Sequence, residues 1–264
     1  MSSKQPTSFL SGLVIAVTRD QQGSSELASL ISAKGAVVRE YPLLHITYRA
    51  LDGVRNALGD FLPDMIVFTS VHGVRAYEMI FSRDLSYPWL TLPAACVGIK
   101  TAEAAKQIGM QVLVTPSDAN AQTLCSSLID SQFIHKRFLW VRGNMADREA
   151  FSSLAQSAHG FRDAVMYDTT STSRGIELAT DVFAGGIDLI VFMSGSAVRA
   201  FAKALTDLHK LAKDIPSQVI LVSIGSKTTR VMQEHGLQPH VTARMATAEV
   251  MLHDVEEYVQ HKKG

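Results

Sequence analysis

Hydroxyls, glycines and cations recur in this chain wherever an apolar run gives way to a helix-like stretch. Thr69 and Ser70 follow one such run, and Ser194 with Ser196 follows another. Gly98, Lys100 and Thr101 form a second construction, repeated as Gly225, Lys227 and Thr228. At a strand-to-helix turn the free amides of the first helical turn and neighbouring hydroxyls point the same way. Together they can hold a carboxylate or a phosphate. The same residue types are also ordinary helix caps. Thr18 and Arg19 end the first apolar run, and Arg142 with Gly143 ends a later one. Arginine at such a point suits two-point capture of a carboxylate, or a surface ion pair. Tyr167 closes a further run, where a phenol either gives a proton to a leaving group or fills a hinge with its ring.

These groups come in pairs because the chain repeats itself. Asp64-Met65-Ile66-Val67-Phe68-Thr69-Ser70, followed by Val74-Arg75-Ala76-Tyr77, returns as Asp188-Leu189-Ile190-Val191-Phe192-Met193-Ser194, followed by Val198-Arg199-Ala200-Phe201. Val97-Gly98-Ile99-Lys100-Thr101 before Gly109-Met110-Gln111 returns as Ile224-Gly225-Ser226-Lys227-Thr228 before Gly236-Leu237-Gln238. Two similar lobes would set two similar groups of strand-end loops opposite each other, and the expected ligand site is the cleft between them.

The elements that must position these groups follow a simple rhythm, in which short β-branched runs alternate with helix-length segments. Strands are expected at 13–18, 37–41, 65–69, 94–97, 112–115, 138–141, 164–167, 189–193, 219–224 and 240–242. Helices are expected at 24–34, 71–81, 101–108, 121–130, 148–158, 197–208, 227–234 and 247–260. This alternation predicts α/β architecture with parallel sheets. Ten or so strands split best into two sheets. Either the halves are tandem, or the first βα unit packs with the last third of the chain and 42–47 and 168–173 are paired crossings. Periodicity does not choose between these.

Other chemistry lacks its signature. No Gly-x-Gly-x-x-Gly follows a strand, no histidine or cysteine cluster has metal spacing, and no Gly-x-Ser-x-Gly elbow is present. The 264 residues carry 25 basic and 25 acidic side chains, so the basic footprint of a nucleic-acid binder is missing. Cys96 and Cys125 are the two cysteines, outside any Cys-x-x-Cys pair, and read as buried thiols in a reducing compartment. The polar first residues hold no signal-peptide core, and the apolar runs are strand-sized. A cytoplasmic protein without membrane or nucleic-acid contacts is the expectation, with monomer as the default.

The ordered set of motifs resembles the uroporphyrinogen-III synthase family. It comprises Val17-Thr18-Arg19, Tyr41-Pro42-Leu43-Leu44-His45-Ile46, Phe68-Thr69-Ser70-Val71-His72-Gly73-Val74, and Val97-Gly98-Ile99-Lys100-Thr101-Ala102. It continues with Val141-Arg142-Gly143-Asn144, Val165-Met166-Tyr167-Asp168-Thr169, Phe192-Met193-Ser194-Gly195-Ser196-Ala197-Val198 and Ile224-Gly225-Ser226-Lys227-Thr228. Asp20, Met193 and Lys227 depart from the family pattern, which usually has proline, threonine and a small or hydroxyl residue there. The resemblance implies two flavodoxin-like (Rossmann-like) lobes joined by a two-stranded crossing: 1–42 plus 171–264, and 47–167, with 43–46 and 168–170 as linkers. It implies a cofactor-free enzyme that closes hydroxymethylbilane to uroporphyrinogen III with inversion of ring D. It also implies Tyr167 as proton donor, substrate contacts from the turn residues named above, and transient contact with hydroxymethylbilane synthase. A two-lobed cytoplasmic anion sensor and an inactive pathway partner are the rival readings.

Overall fold

The computed structural model describes residues 8–18, 21–84, 86, 88–130 and 132–263. Arg19 and Asp20 lie outside them. In chain order the elements begin with β1 (Val14–Val17), α1 (Gln21–Ala33), β2 (Val37–Glu40), β3 (Leu44–Tyr48) and α2 (Leu51–Leu58). Next come β4 (Met65–Phe68), α3 (Val71–Phe81), β5 (Ala94–Cys96), α4 (Ile99–Gln107), β6 (Val112–Val114) and α5 (Ala121–Ile129). Then follow β7 (Arg137–Gly143), α6 (Ser152–Ser157), β8 (Gly160–Ser171), α7 (Arg174–Phe183), β9 (Leu189–Phe192) and α8 (Gly195–Asp207). The last are β10 (Ile220–Ser223), α9 (Ser226–Glu234), β11 (Val241–Thr242) and α10 (Ala248–Lys263).

The chain divides into two compact units, Met1–His45 with Thr170–Gly264, and Ile46–Thr169. The first unit holds a sheet in the order β11-β10-β9-β1-β2, with each pair parallel. The second holds the order β8-β7-β4-β5-β6, also parallel, extended by β3 beside β8. Counted from β7, the second sheet has the same 2-1-3-4-5 order as the first, the flavodoxin-like arrangement. The βαβ piece that opens the first unit comes last in the second. Both sequence repeats fall on this frame, β4-α3 against β9-α8 and β5-α4 against β10-α9.

The chain passes between units along β3 and β8. Thr172 N–H donates to Leu43 O at 3.0 Å and Arg49 N–H to Met166 O at 2.9 Å, which is the antiparallel pattern. Two-sided burial explains why β4 and β9 read as unbroken apolar runs. In the first unit Ile190 and Phe192 pack under α7, α8 and α9, while Leu189 and Val191 meet α1 and α10. In the second, Ile66 and Phe68 face α2, α3 and α4, while Met65 and Val67 face α5 and Leu154 of α6. Gly109 after α4 and Gly236 after α9 have φ of 89° and 74°, the left-handed stop that glycine favours.

The aspartate that opens each long repeat has a structural task. Asp64 Oδ2 accepts the Arg137 amide at 2.9 Å, and Asp188 Oδ2 accepts the Val14 amide at 2.7 Å. Their own amides donate back to Arg137 O and Val14 O at 2.8 and 3.0 Å. Each carboxylate therefore clasps β4 to β7, or β9 to β1, at the amino edge of the sheet.

Two helices escape the sequence pattern, α2 and α7. Gly53 and Gly175 lower helix propensity there, although each helix buries an apolar face, Val54 and Leu58 in α2 and Leu178, Ala179 and Val182 in α7. The segment expected as one helix at 148–158 is a 3-10 turn, Glu149–Phe151, followed by the short α6.

The far end of α3 is fixed by Asp84, whose side chain is 2% exposed. Its carboxylate accepts Arg55 Nε at 3.0 Å, Ser86 Oγ at 2.6 Å and Trp89 Nε1 at 3.1 Å, and Tyr77 of α3 donates to Trp89 O at 2.7 Å. The Arg55 and Ser86 bonds hold the Asp84 pKa down to about 2. Arg137 likewise holds Asp64 below the usual carboxylate range. A depressed carboxyl stabilises the fold above its unfolded pKa and loses that contribution as pH falls through the folded one. Stability should therefore drop between pH about 4 and about 2. Urea unfolding across that range should show a shallower acid loss for Asp84→Asn than for the parent. Parallel acid limbs would remove Asp84 from the account.

Candidate functional site

In each unit the chain connections reverse direction at one place in the sheet, between β7 and β4 in one and between β1 and β9 in the other. Open parallel sheets bind ligands outside the carboxyl ends of the strands at such a switch point. The residues there are Thr69, Ser70, Gly143 and Asn144 in the second unit, and Thr18 and Ser194 in the first.

Tyr167 reaches the switch point of the second unit through an irregular ladder. Arg142 lies opposite Val165, but the register then shifts and Gly143 lies opposite Tyr167. The extra residue, Met166, is fully buried. A bulge of this kind turns the neighbouring side chain away from the regular pleat. The Tyr167 ring lies across Gly143 so closely that a Cβ there would stand 2.6 Å from Cε2 and 2.7 Å from Cζ. Asn144 N–H donates to Tyr167 O at 3.1 Å, and the Asn144 amide exchanges bonds with the Thr169 backbone.

The phenol oxygen ends 2.8 Å from Ser70 Oγ, which accepts the Gly73 amide at 3.0 Å as the N-cap of α3. The His72 ring lies 6.0 Å from the Tyr167 ring, centroid to centroid. Burial pushes the Tyr167 pKa above the ordinary phenol value, against the Ser70 bond, which pulls it down. The Tyr167 phenol is therefore protonated at neutral pH.

The other expected residues divide by what they touch. Arg142 lies on the opposite face of β7, paired with Asp163 and stacked 5.8 Å over the Trp140 ring, while Arg148 adds a 3.2 Å bond to Asp163. Trp140 Nε1 donates to Thr69 Oγ1 at 3.4 Å. Thr18 is buried and its hydroxyl donates to Val191 O at 2.8 Å. Ser194 caps α8 by accepting the Ala197 amide at 3.2 Å, with Ser196 half-buried in the same turn.

At the second pair of turns no side chain caps the helix. Gly98 and Gly225 are the N-caps of α4 and α9. Thr101 and Thr228 are buried beneath these turns, and Lys100 and Lys227 are exposed on them. Each unit therefore presents one serine-capped turn and one glycine turn at the carboxyl edge of its sheet. Sequence reasoning did not single out Asp163 or Gly73. Only the motif Thr69-Ser70-Val71-His72-Gly73 gave a hint of the latter, since a cap at one position needs an amide three residues on.

Known proteins share this architecture. The family model described as uroporphyrinogen-III synthase HemD matches residues 25–253. A porphyrin biosynthesis protein HemD from Ruminiclostridium josui is 24% identical over 255 residues, covering 92% of this chain and 48% of that one. The chain thus spans about half the length of that relative. A uroporphyrinogen-III synthase from Synechococcus elongatus is 26% identical over 261 residues, 95% of this chain and 97% of the other. Among solved structures, a mutant uroporphyrinogen III synthase from Thermus thermophilus superposes with a TM-score of 0.72 at 17% identity, covering 95% of this chain and 100% of that one. A uroporphyrinogen-III synthetase from Helicobacter pylori gives 0.58 at 17% identity, over 91% and 97% of the two chains. At these identities the structural matches bear on the fold. Among the described residues no helix is long and apolar enough to cross a membrane.

The packing of Tyr167 on Gly143 can be tested directly. Gly143→Ala should cost about 1–3 kcal/mol in urea unfolding, as overpacking does. In a Tyr167→Ala background the same change should cost close to nothing, because the ring it strikes is gone. Equal costs in the two backgrounds would mean that the glycine serves something other than the ring.

Proposed function

The chain belongs to the uroporphyrinogen-III synthase HemD family, and on that premise we propose that it cyclises hydroxymethylbilane to uroporphyrinogen III with Tyr167 as the proton donor. The observation that carries this reading is the neutral phenol of Tyr167, held at the switch point of its sheet by Ser70 and Gly143. The substrate is a linear tetrapyrrole rich in carboxylates. Anion-holding turns at the carboxyl edges of both sheets suit it: Thr69 and Ser70, Gly98 to Thr101, Ser194 to Ser196 and Gly225 to Thr228. Lys100 and Lys227, exposed on the glycine turns, supply cations for the same carboxylates. Arg142 contributes through Asp163 and Arg148, as part of a charged cluster flanking the site.

The chemistry asks little of the protein beyond geometry and one proton. Tyr167 Oη gives its proton to the terminal hydroxyl as that C–O bond breaks, and water leaves behind an azafulvene cation. The substituted carbon of ring D attacks the cation and forms a spiro intermediate. Fragmentation and reclosure deliver the inverted macrocycle. The ring proton released on closure returns the phenolate to phenol, so the net change is loss of water. Holding the reacting carbons together contributes up to about 7–11 kcal/mol. Closure without inversion is the uncatalysed competitor, so the enzyme selects the product as well as speeding it. We read the protein as a cofactor-free cyclising lyase, monomeric and cytoplasmic, that meets hydroxymethylbilane synthase transiently. A substrate that closes wrongly in free solution favours a quick handover.

The test couples the protein to hydroxymethylbilane synthase, supplies porphobilinogen, oxidises the products and separates the uroporphyrin isomers. Mostly type III is expected. Type I alone, as in a control lacking the protein, would leave a sensor or an inactive partner. Tyr167→Phe should lower kcat about 100-fold, the lower end of what a positioned general acid contributes, with the fold intact by circular dichroism. Unaltered turnover would remove Tyr167 from the mechanism.

A further inference from the structure

We propose that Ser70 is a positioning residue that turns the Tyr167 proton outward, through a one-way hydrogen-bond chain from the Gly73 amide to the Ser70 hydroxyl to the Tyr167 oxygen. This rests on the reading of Tyr167 as the acid, and gives Ser70 a different task from holding a substrate carboxylate.

Either oxygen of the Ser70–Tyr167 pair can donate, and the amino end of α3 favours Ser70 as the donor. A serine hydroxyl has one proton and accepts through its lone pairs. The Gly73 N–H is a fixed donor, and at 3.0 Å it takes one of the two lone pairs of Ser70 Oγ. In the proposed polarity the Ser70 proton goes to the Tyr167 oxygen, 2.8 Å away. With Ser70 donating, the phenol oxygen accepts and its own proton is left to point away from α3. The amino end of α3 favours this polarity, because its backbone N–H groups and the helix dipole draw electron density from Ser70 Oγ and make its hydroxyl the better donor. As the phenol loses its proton, the Ser70 bond becomes a bond to a developing anion and strengthens. The bond is therefore tightest at the moment the acid acts, which is where a positioning group raises rate rather than affinity.

The groups that face the phenol are few. They are Ser70 and His72 from the start of α3, Tyr48 from β3, and the Gly143 backbone from β7. The Ser70 and Gly143 bonds both ease ionisation of the phenol, while burial and Tyr48 oppose it. Gly143 adds a second constraint, since its bare Cα lets the ring sit where the oxygen meets Ser70. The other unit provides an internal comparison. Ser194 occupies the matching turn and caps α8 through the Ala197 amide, so capping is common to both sites. The phenol contact belongs to Ser70.

The decisive variant is Ser70→Gly, because glycine is a tolerated N-cap while the hydroxyl is lost. The full chain is labelled with tyrosine carrying carbon-13 at Cζ, and the Tyr167 resonance is assigned by its absence in Tyr167→Phe. In Ser70→Gly the Tyr167 titration midpoint should rise, and kcat should fall about tenfold with KM unmoved. Ser70→Thr, which keeps both cap and hydroxyl, should restore the midpoint and most of kcat. Ser194→Ala should leave the Tyr167 midpoint where it was. A midpoint that stays or falls in Ser70→Gly overturns the proposed polarity. A rise in KM at constant kcat would instead make Ser70 a substrate ligand. Full turnover by Tyr167→Phe overturns the acid role itself, and with it the task assigned to Ser70. An unmoved midpoint beside a crippled Tyr167→Phe overturns the part of Ser70 alone.

Discussion

A parallel strand has to be covered on both faces, and the register of the strand pair at the centre of each sheet decides where everything else goes. Here that register is clasped by an aspartate at the amino edge, Asp64 on the start of β7 and Asp188 on the start of β1. Once β4 and β7, or β9 and β1, are level, their carboxyl ends finish side by side. The crossover helices must then begin at that same edge, because the chain leaves every parallel strand at its carboxyl end, while the right-handed crossover fixes which face each helix covers. The hydroxyl and glycine turns therefore gather at one edge of each sheet as a consequence of strand pairing. No residue at the site is needed to bring them there.

Within that frame the choice of Tyr167 follows from geometry. A residue on the regular pleat of β8 would alternate between the two cores. The irregularity at Gly143 releases one side chain from that alternation and leaves it at the rim, over a residue with no side chain. Burial keeps the phenol protonated, and the cap of α3 meets its oxygen. Local irregularity, a missing Cβ and a helix terminus act together on one atom.

Much of this was legible in the sequence because it is periodic or repeated. The apolar runs at 65–69 and 189–193 could only be buried strands, and the two pairs of turns announced themselves by recurring in order. The helices α2 and α7 went unread although their apolar faces are well formed, since Gly53 and Gly175 argue against helix by propensity. The partners of the site residues were hidden for a different reason. Arg142 and Asp163 meet across neighbouring strands, as do Gly143 and Tyr167, and a register shift separates the two pairs. Sequence spacing carries no trace of a bulge. Arg142 at a strand end suited either carboxylate capture or an ion pair, and its guanidinium pairs with Asp163 and lies over the face of Trp140.

The permuted wiring has a consequence for how the molecule is made. The unit Ile46–Thr169 is one uninterrupted stretch, so each of its strands has its neighbours as soon as Thr169 has been synthesised. The other unit is split around it. β1 must pair with β9, which leaves the ribosome far later, so Ile15 and Val17 have no partner on that side during the interval. Domains form as units during synthesis, at about 5–20 residues per second. The inner unit is thus free to fold first, while the opening strands of the outer one wait for several seconds with apolar faces uncovered. During that wait those faces are open to non-native contacts.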